Sequence, residues 1–336
     1  MTHTKTLFRT LALCAALAVP AAYAKEAPVA HAQATAGPTQ QAAGYYHMKL
    51  GNGITVTALY DGFFNLVPNQ LHNISAANRD ALFQTLFAPQ DKNGIQTAVN
   101  AYLINQNGQL TLIDTGAGSQ LGEGMGHISA NLAAAGIRPE QISRVILTHL
   151  HPDHAGGLID KNGNRLFPNA VVYAPKEDVD FFLSPAKAGE IELLTQVKQM
   201  AAKFIAPYQA AGKFQTFRKG ENIQDIETID EFGHTPGMSG YLVGTGANRL
   251  LIWGDVVHSH TVQFRHPEAT FEYDADRAAA LATRRRIFRL AQQNRLWIGG
   301  AHLPFPGIGH VVRDGRASYR WVPAEYLPLN AQQAAQ

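Results

Sequence analysis

The stretch Thr148-His149-Leu150-His151-Pro152-Asp153-His154-Ala155-Gly156-Gly157 constrains this chain more than any other. Four side chains that bind metals well fall within six residues, directly after the apolar run Arg144-Val145-Ile146-Leu147. That run has the length and β-branching of a buried strand, so the ligands stand where a strand opens into a loop. His149 and His151 are two apart, which in extended backbone puts both imidazoles on one face. Asp153 and His154 are adjacent, point differently and suit a second ion. Glycines 156 and 157 let the backbone turn sharply after the cluster.

Three lone residues repeat this setting. His234 lies in Gly233-His234-Thr235-Pro236-Gly237 after Ile226–Phe232, Asp255 in Trp253-Gly254-Asp255 after Leu250–Trp253, and His302 in Gly299-Gly300-Ala301-His302 after Leu296–Ile298. Each ends an apolar run beside glycine, as expected when loops from one sheet edge converge on a site. Singly, each reads as an ordinary loop residue; jointly with the first cluster they read as a metal centre.

The beginning of the chain is expected to lie outside the fold. Lys5 and Arg9 form a positive region, Leu11 through Val19 an apolar one, and Ala22-Tyr23-Ala24 a small-x-small cleavage site. Residues 1–24 are therefore expected to be a signal peptide, and the protein periplasmic or secreted. The apolar run is far short of the roughly 20 residues a bilayer demands, so no membrane partner is expected. Residues 25–43, rich in Ala, Gln and Pro, are expected to be a disordered mature N-terminus. Cys14, the sole cysteine, leaves with the leader, which excludes cysteine as ligand or nucleophile. Without Lys5 and Arg9 the chain has 26 basic and 26 acidic residues. That balance argues against nucleic acid as a partner. Arg284, Arg285, Arg286 and Arg289 fall in a helical pattern and read as a solvated face.

A hairpin is expected at Tyr46–Leu50 and Ile54–Tyr60, with Gly51-Asn52-Gly53 between. A helix capped by Ser75, strands at 97–104 and 110–114, a helix from about 126 and the strand before His149 follow. Beyond a strand at 171–174 come two helical stretches at 176–183 and 190–209. Strands near 214–217, 226–232, 241–244 and 250–253, a helix at 276–294 and a last strand at 296–298 end the regular part. Strands first and helices after, twice over, predict two βα halves in one α/β sandwich: one catalytic domain over 44–330.

The order HxHxDH, then His234, Asp255 and His302, resembles the metallo-β-lactamase superfamily of binuclear hydrolases. The words around it, with Gly44-Tyr45-Tyr46, Asp114-Thr115-Gly116-Ala117 and His302-Leu303-Pro304-Phe305-Pro306-Gly307-Ile308-Gly309-His310, are similar to methyl parathion hydrolase and its lactonase-like relatives. The resemblance implies an αββα fold of two mixed sheets flanked by helices. It implies a first metal on His149, His151 and His234, a second on Asp153, His154 and His302, and Asp255 bridging both. Asp255 and Asp153 are the residues it implicates in catalysis, and Asp114 would accept hydrogen bonds that orient a ligand histidine. Imidazole and carboxylate ligands suit two zinc ions, although ligand type alone leaves Mn, Fe or Co open.

Such a centre lowers the pKa of water to about 7, so a metal-bridging hydroxide can attack an ester without a side-chain base. A neutral or apolar lactone, aryl ester or phosphotriester is the expected substrate, and a homodimer is expected by analogy. Phe63, Phe64, His258 and Phe305 are candidates for an apolar pocket, with His258 a candidate for hydrogen bonding a leaving group. The tyrosine that lactonases of this superfamily carry shortly after the bridging aspartate is missing from Val256-Val257-His258-Ser259-His260. The Met238 position, after Pro236-Gly237, is often histidine in relatives. The alternatives are a β-lactam hydrolase, against which a bridging Asp255 speaks, and a non-catalytic metal-binding member of the fold.

Overall fold

Alternation along the strands sorts the apolar side chains into three layers. Along Gly94–Gln106, Ala101 and Leu103 join one cluster, with Leu112, Val145 and Val172, while Tyr102 and Ile104 join another. Along Ser239–Thr245, Tyr241 and Val243 face that second cluster and Leu242 faces a third, with Ile287 and Phe288. Successive strand residues point to opposite faces, so each sheet is apolar on both sides. Sheets of that kind are covered on both sides, here by helices outside and by each other inside.

The computed structural model of the protein describes residues 42–122 and 124–326. The expected leader and nearly all of the expected disordered segment, residues 1–41, lie outside the described residues. The first sheet runs in the order Tyr45–Gly51, Ile54–Leu66, Gly94–Gln106, Gln109–Ile113, Arg144–Ile146, Val171–Pro175, Phe214–Phe217. Its first pairings are antiparallel and its last three parallel. The second runs Glu227–Asp230, Ser239–Thr245, Asn248–Trp253, Trp297–Gly300, Ile308–Arg313, Tyr319–Pro323, with one parallel pair, Asn248–Trp253 on Trp297–Gly300. The helices Ile128–Ala134 and Glu192–Ala210 cover the outer face of the first sheet and Arg277–Gln293 that of the second. This is the expected αββα sandwich of two mixed sheets. Among the described residues no helix is long and apolar enough to cross a membrane.

Three readings change. Regular structure does not end near residue 298: Ile308–Arg313 and Tyr319–Pro323 close the second sheet. Glycines 156 and 157 serve close approach rather than a special turn. A Cβ on Gly157 would stand 2.0 Å from the Thr115 carbonyl oxygen and one on Gly156 2.3 Å from that of Ala117. The arginine run, finally, is not one solvated face. Arg285, Arg286 and Arg289 are exposed, but Arg284 is 1% exposed and donates to the carbonyls of Val256, Pro267 and Ala269.

Arg284 thereby fastens the segment that follows Asp255 to the back of the second sheet. Removing it leaves buried carbonyl oxygens without donors. Arg284→Met should cost about 2–5 kcal/mol in urea unfolding, whereas Arg285→Met on the exposed side should stay within about 0.5 kcal/mol. Equal effects would contradict the inward anchoring of Arg284.

Candidate metal centre

The seven expected ligands come together at the ends of strands. His149 to His154 follow Arg144–Ile146, His234 follows Glu227–Asp230, Asp255 follows Asn248–Trp253 and His302 follows Trp297–Gly300, while Asp114, expected to orient a ligand, follows Gln109–Ile113. Asp153 and His154 lie on the short helix Pro152–Ala155, which sets the His154 ring beside that of His149, with centroids 4.1 Å apart.

Asp255 stands in the middle, 4% exposed. Its Oδ2 lies 3.1 Å from His234 Nε2 and 3.7 Å from His149 Nε2. His151 Nδ1 completes that trio at 3.0 Å from His149 Nε2 and 2.9 Å from His234 Nε2. Asp255 Oδ1 lies 3.1 Å from both His154 Nε2 and His302 Nε2, and each of those lies 3.5 Å from Asp153 Oδ2. One carboxylate thus turns a different oxygen toward each of two ligand trios.

These residues fit a pair of cations. His154 Nε2, His302 Nε2 and Asp255 Oδ1 are buried without a hydrogen-bond partner, an arrangement that costs free energy unless something accepts their lone pairs. In four of the histidines the other ring nitrogen is engaged: His154 Nδ1 with Asp114 Oδ2 at 2.8 Å, His149 Nδ1 with Thr148 Oγ1 at 3.0 Å, His234 Nδ1 with Asp274 Oδ1 at 3.0 Å, and His302 Nδ1 with the Ala98 carbonyl at 2.9 Å. That is how proteins orient imidazoles toward a metal. Burial holds His149 well below the usual histidine range and takes His151 down to about 3, whereas at His234 burial is outweighed by Asp255 and Asp274, which push it up to about 9. Burial opposes ionisation of Asp255 too, but His302, His154 and His149 outweigh it and hold the carboxyl well below its usual value.

The surrounding shell was legible in part. Asp114, at φ +58°, accepts from Thr148 N and Thr148 Oγ1 at 2.8 Å each and from His154, as expected. Asp274, Asp178 and Glu231 were not foreseen. Buried Asp178 accepts from Leu150 N at 3.3 Å, Thr235 Oγ1 at 2.9 Å and Gly237 N at 2.5 Å, tying the His149 loop to the His234 loop. A Cβ at Gly237 would stand 2.6 Å from the Asp178 nitrogen, which explains that glycine. Behind Asp255, the Met238 thioether accepts its N–H at 3.1 Å, and Glu231 accepts from Gly254 N at 3.0 Å. Asp178 on a helix and Asp274 in a loop have no strand-end spacing to mark them, and Glu231 directly follows the strand Glu227–Asp230 without a neighbouring glycine.

Of the expected pocket residues, Phe64 and His258 line a cavity of about 470 Å³ over the centre; Phe63 and Phe305 do not. Phe63 is 38% exposed, on the other face of the strand from Phe64, and Phe305 packs edge-on against Tyr60 at 5.6 Å. His258 Nε2 lies 3.0 Å from Asp255 Oδ2, and its ring stacks on Phe271 at 4.1 Å. An apolar wall from Phe181, Phe182, Ile191, Leu193, Leu194 and Val197 was not foreseen, and no lysine or arginine among the described residues lines the cavity.

The chain belongs to the metallo-beta-lactamase superfamily, whose family model matches residues 94–302. Fold and site together make it a metal-dependent hydrolase of that superfamily, with a His/Asp cluster that fits a binuclear centre. It is similar to the crystal structure of AbOPH, a hydrolase in the beta lactamase superfamily, at 39% identity and a TM-score of 0.82, covering 86% of this chain and 100% of that one. It is also similar to AidC, a dizinc quorum-quenching lactonase in complex with a product, N-hexanoyl-L-homoserine, at 25% identity and a TM-score of 0.75, covering 85% and 99%. A comparison with curated proteins finds no match.

Because Asp274 orients His234, Asp274→Ala should weaken metal binding about 10–100-fold in chelator competition while leaving the fold's circular dichroism intact. Unchanged affinity would remove that role. Glu231 gives a pH-dependent test. Burial pushes its carboxyl up from 4.5 to about 8, only partly offset by the Gly254 N–H. Between those values the unfolded chain releases a proton that the folded chain keeps, so stability falls as pH rises through this window. Glu231→Gln should match the native protein at pH 5 and exceed it by about 2–4 kcal/mol at pH 9. Parallel urea-midpoint profiles would show that Glu231 ionises normally.

Proposed function

We propose that this protein hydrolyses neutral esters carrying an apolar group, with lactones the preferred class and aryl esters and phosphotriesters as lesser substrates. The observation that carries this reading is the Asp255 carboxylate, shared between two ligand trios at the floor of a cavity with an apolar wall and, among the described residues, no lysine or arginine. His149, His151, His234 and Asp255 Oδ2 would hold one ion; Asp153, His154, His302 and Asp255 Oδ1 the other. Two divalent ions there, zinc by donor type, supply Lewis acidity and hydroxide near neutral pH, because coordination lowers the pKa of water to about 7.

The chain's own residues do the rest. Asp114, Asp274 and the Ala98 carbonyl fix the imidazoles in place, so the centre needs little reorganisation. His258 hydrogen bonds Asp255 and stacks on Phe271, which holds the shared carboxylate from the cavity side. The apolar wall excludes water from the bound substrate and favours an aromatic or aliphatic substituent. The likeness to AidC supports a lactone and the resemblance to methyl parathion hydrolase supports phosphotriester turnover as a side activity. Export through the leader belongs to the same proposal.

A β-lactam is disfavoured for a specific reason: such substrates carry a carboxylate, and among the described residues the cavity offers Asp153, Asp255, Glu272 and Asp274 but no lysine or arginine to receive it.

The test is metal content of the purified protein together with rates on a lactone, an aryl ester, a phosphotriester and a cephalosporin. About two metals per chain, chelator-sensitive turnover greatest on the lactone, and a loss of more than about 100-fold in Asp255→Ala are expected. Dominant phosphotriester or cephalosporin turnover would replace the substrate assignment. Metal-free protein with chelator-resistant activity would overturn the site assignment.

A further inference from the structure

The apolar wall is built from two helices and the segment between them, and one buried cation joins all three. Lys198 lies on the core-facing stripe of the Glu192–Ala210 helix with Ala201, Ile205 and Tyr208, a position where an apolar residue is expected. It is 5% exposed. An ammonium group in that setting needs partners. They are Glu190 Oε1 at 2.7 Å, Ser184 Oγ at 3.2 Å and the Phe181 ring, 5.2 Å from its centroid.

Those partners mark the boundaries of the wall. Ser184 opens and Glu190 closes the segment between helices Lys176–Phe182 and Glu192–Ala210, with exposed residues 185–189 between them. Phe181 packs edge-on against Phe182 at 5.0 Å, and Phe182 edge-on against the ligand His151 at 5.5 Å. Directly after Glu190, Ile191 and Leu193 line the cavity while 67% and 46% exposed. Apolar surface left open above a catalytic floor gains by being covered with an apolar ligand.

We infer that Lys198 is a positioning residue: it fixes the wall relative to the metal centre and so selects substrates by the length of their apolar group. The inference rests on the reading that the cavity takes a neutral ester. Lys198→Met keeps length and apolar packing while removing the charge; Glu190→Gln weakens the same link from its other end, and Lys198→Arg restores it. Calorimetric binding of non-hydrolysable butanoyl and decanoyl cyclopentylamides to the metal-loaded protein is the readout, with kcat and KM for the matching acyl lactones.

The native protein should bind the decanoyl compound more tightly, and Lys198→Met should lose about tenfold of that preference, a change of 1.4 kcal/mol. Butanoyl binding, kcat and metal content should change less than about twofold, and Lys198→Arg should retain the preference. Equal weakening for both chain lengths, or loss of metal, would reduce Lys198 to a structural residue and overturn the inference. A preference unchanged in Lys198→Met would overturn it too. Chain-length-dependent binding in a protein that hydrolyses none of the esters would overturn the hydrolytic reading and leave the role of Lys198 standing.

Discussion

A buried, ionised carboxylate is the constraint on which this site depends. Asp255 is 4% exposed, and a lone charge in that setting would be prohibitive. Five imidazole nitrogens surround it, those of His154, His234, His258 and His302 at 3.0–3.1 Å and that of His149 at 3.7 Å. Imidazoles alone are a poor solution, because crowding several protonated rings around one carboxylate sets them against each other. Two divalent cations would resolve the conflict: the rings could stay neutral, the lone pairs would find acceptors, and the carboxylate would keep its charge. The polypeptide contributes by bringing the groups together before the ions arrive. Strands in both sheets end at the same place: Arg144–Ile146 in the first sheet is followed by four of the ligands, and three strands of the second sheet are followed by one each.

That geometry explains which parts of the site the sequence discloses. His149, His151, Asp153 and His154 are legible because their spacing is local. His234, Asp255 and His302 are legible because each follows an apolar run and a glycine. Asp274 and Asp178 do equivalent positioning work but reach the site from a turn and from a helix, with nothing nearby in the sequence to set them apart from surface aspartates. Arg284 was hidden differently. Among three exposed arginines, only its phase on the Arg277–Gln293 helix turns it inward, and that phase depends on what the helix packs against.

The fold was legible through its strongly apolar strands and failed at its weakest. In Ile308–Arg313 a glycine, a histidine and an arginine interrupt the apolar pattern, and Tyr319–Pro323 is an edge strand ending in proline, where pairing comes from the neighbour rather than from propensity. Phe63 and Phe64 show the same limit in miniature. Adjacent residues on a strand face opposite ways, so one of them lines the cavity, and which one depends on register against Gly94–Gln106. The wall across from Phe64 comes from helices separated from it by more than a hundred residues.

The side of Asp255 away from the cavity shows why its neighbours are what they are. The acceptors for backbone there are the Met238 thioether, which is uncharged, and the Glu231 carboxyl, whose ionisation burial opposes. A second ionised carboxylate behind Asp255 would repel it and weaken the attraction that both ligand trios rely on. Gly240 leaves room for this arrangement, since a Cβ there would stand 2.4 Å from Glu231 Oε1. At Met238 this chain uses a soft, uncharged acceptor that fills the space beside Gly254. The charge of the centre is thereby confined to the face that opens on the cavity, where the ions and the substrate meet it.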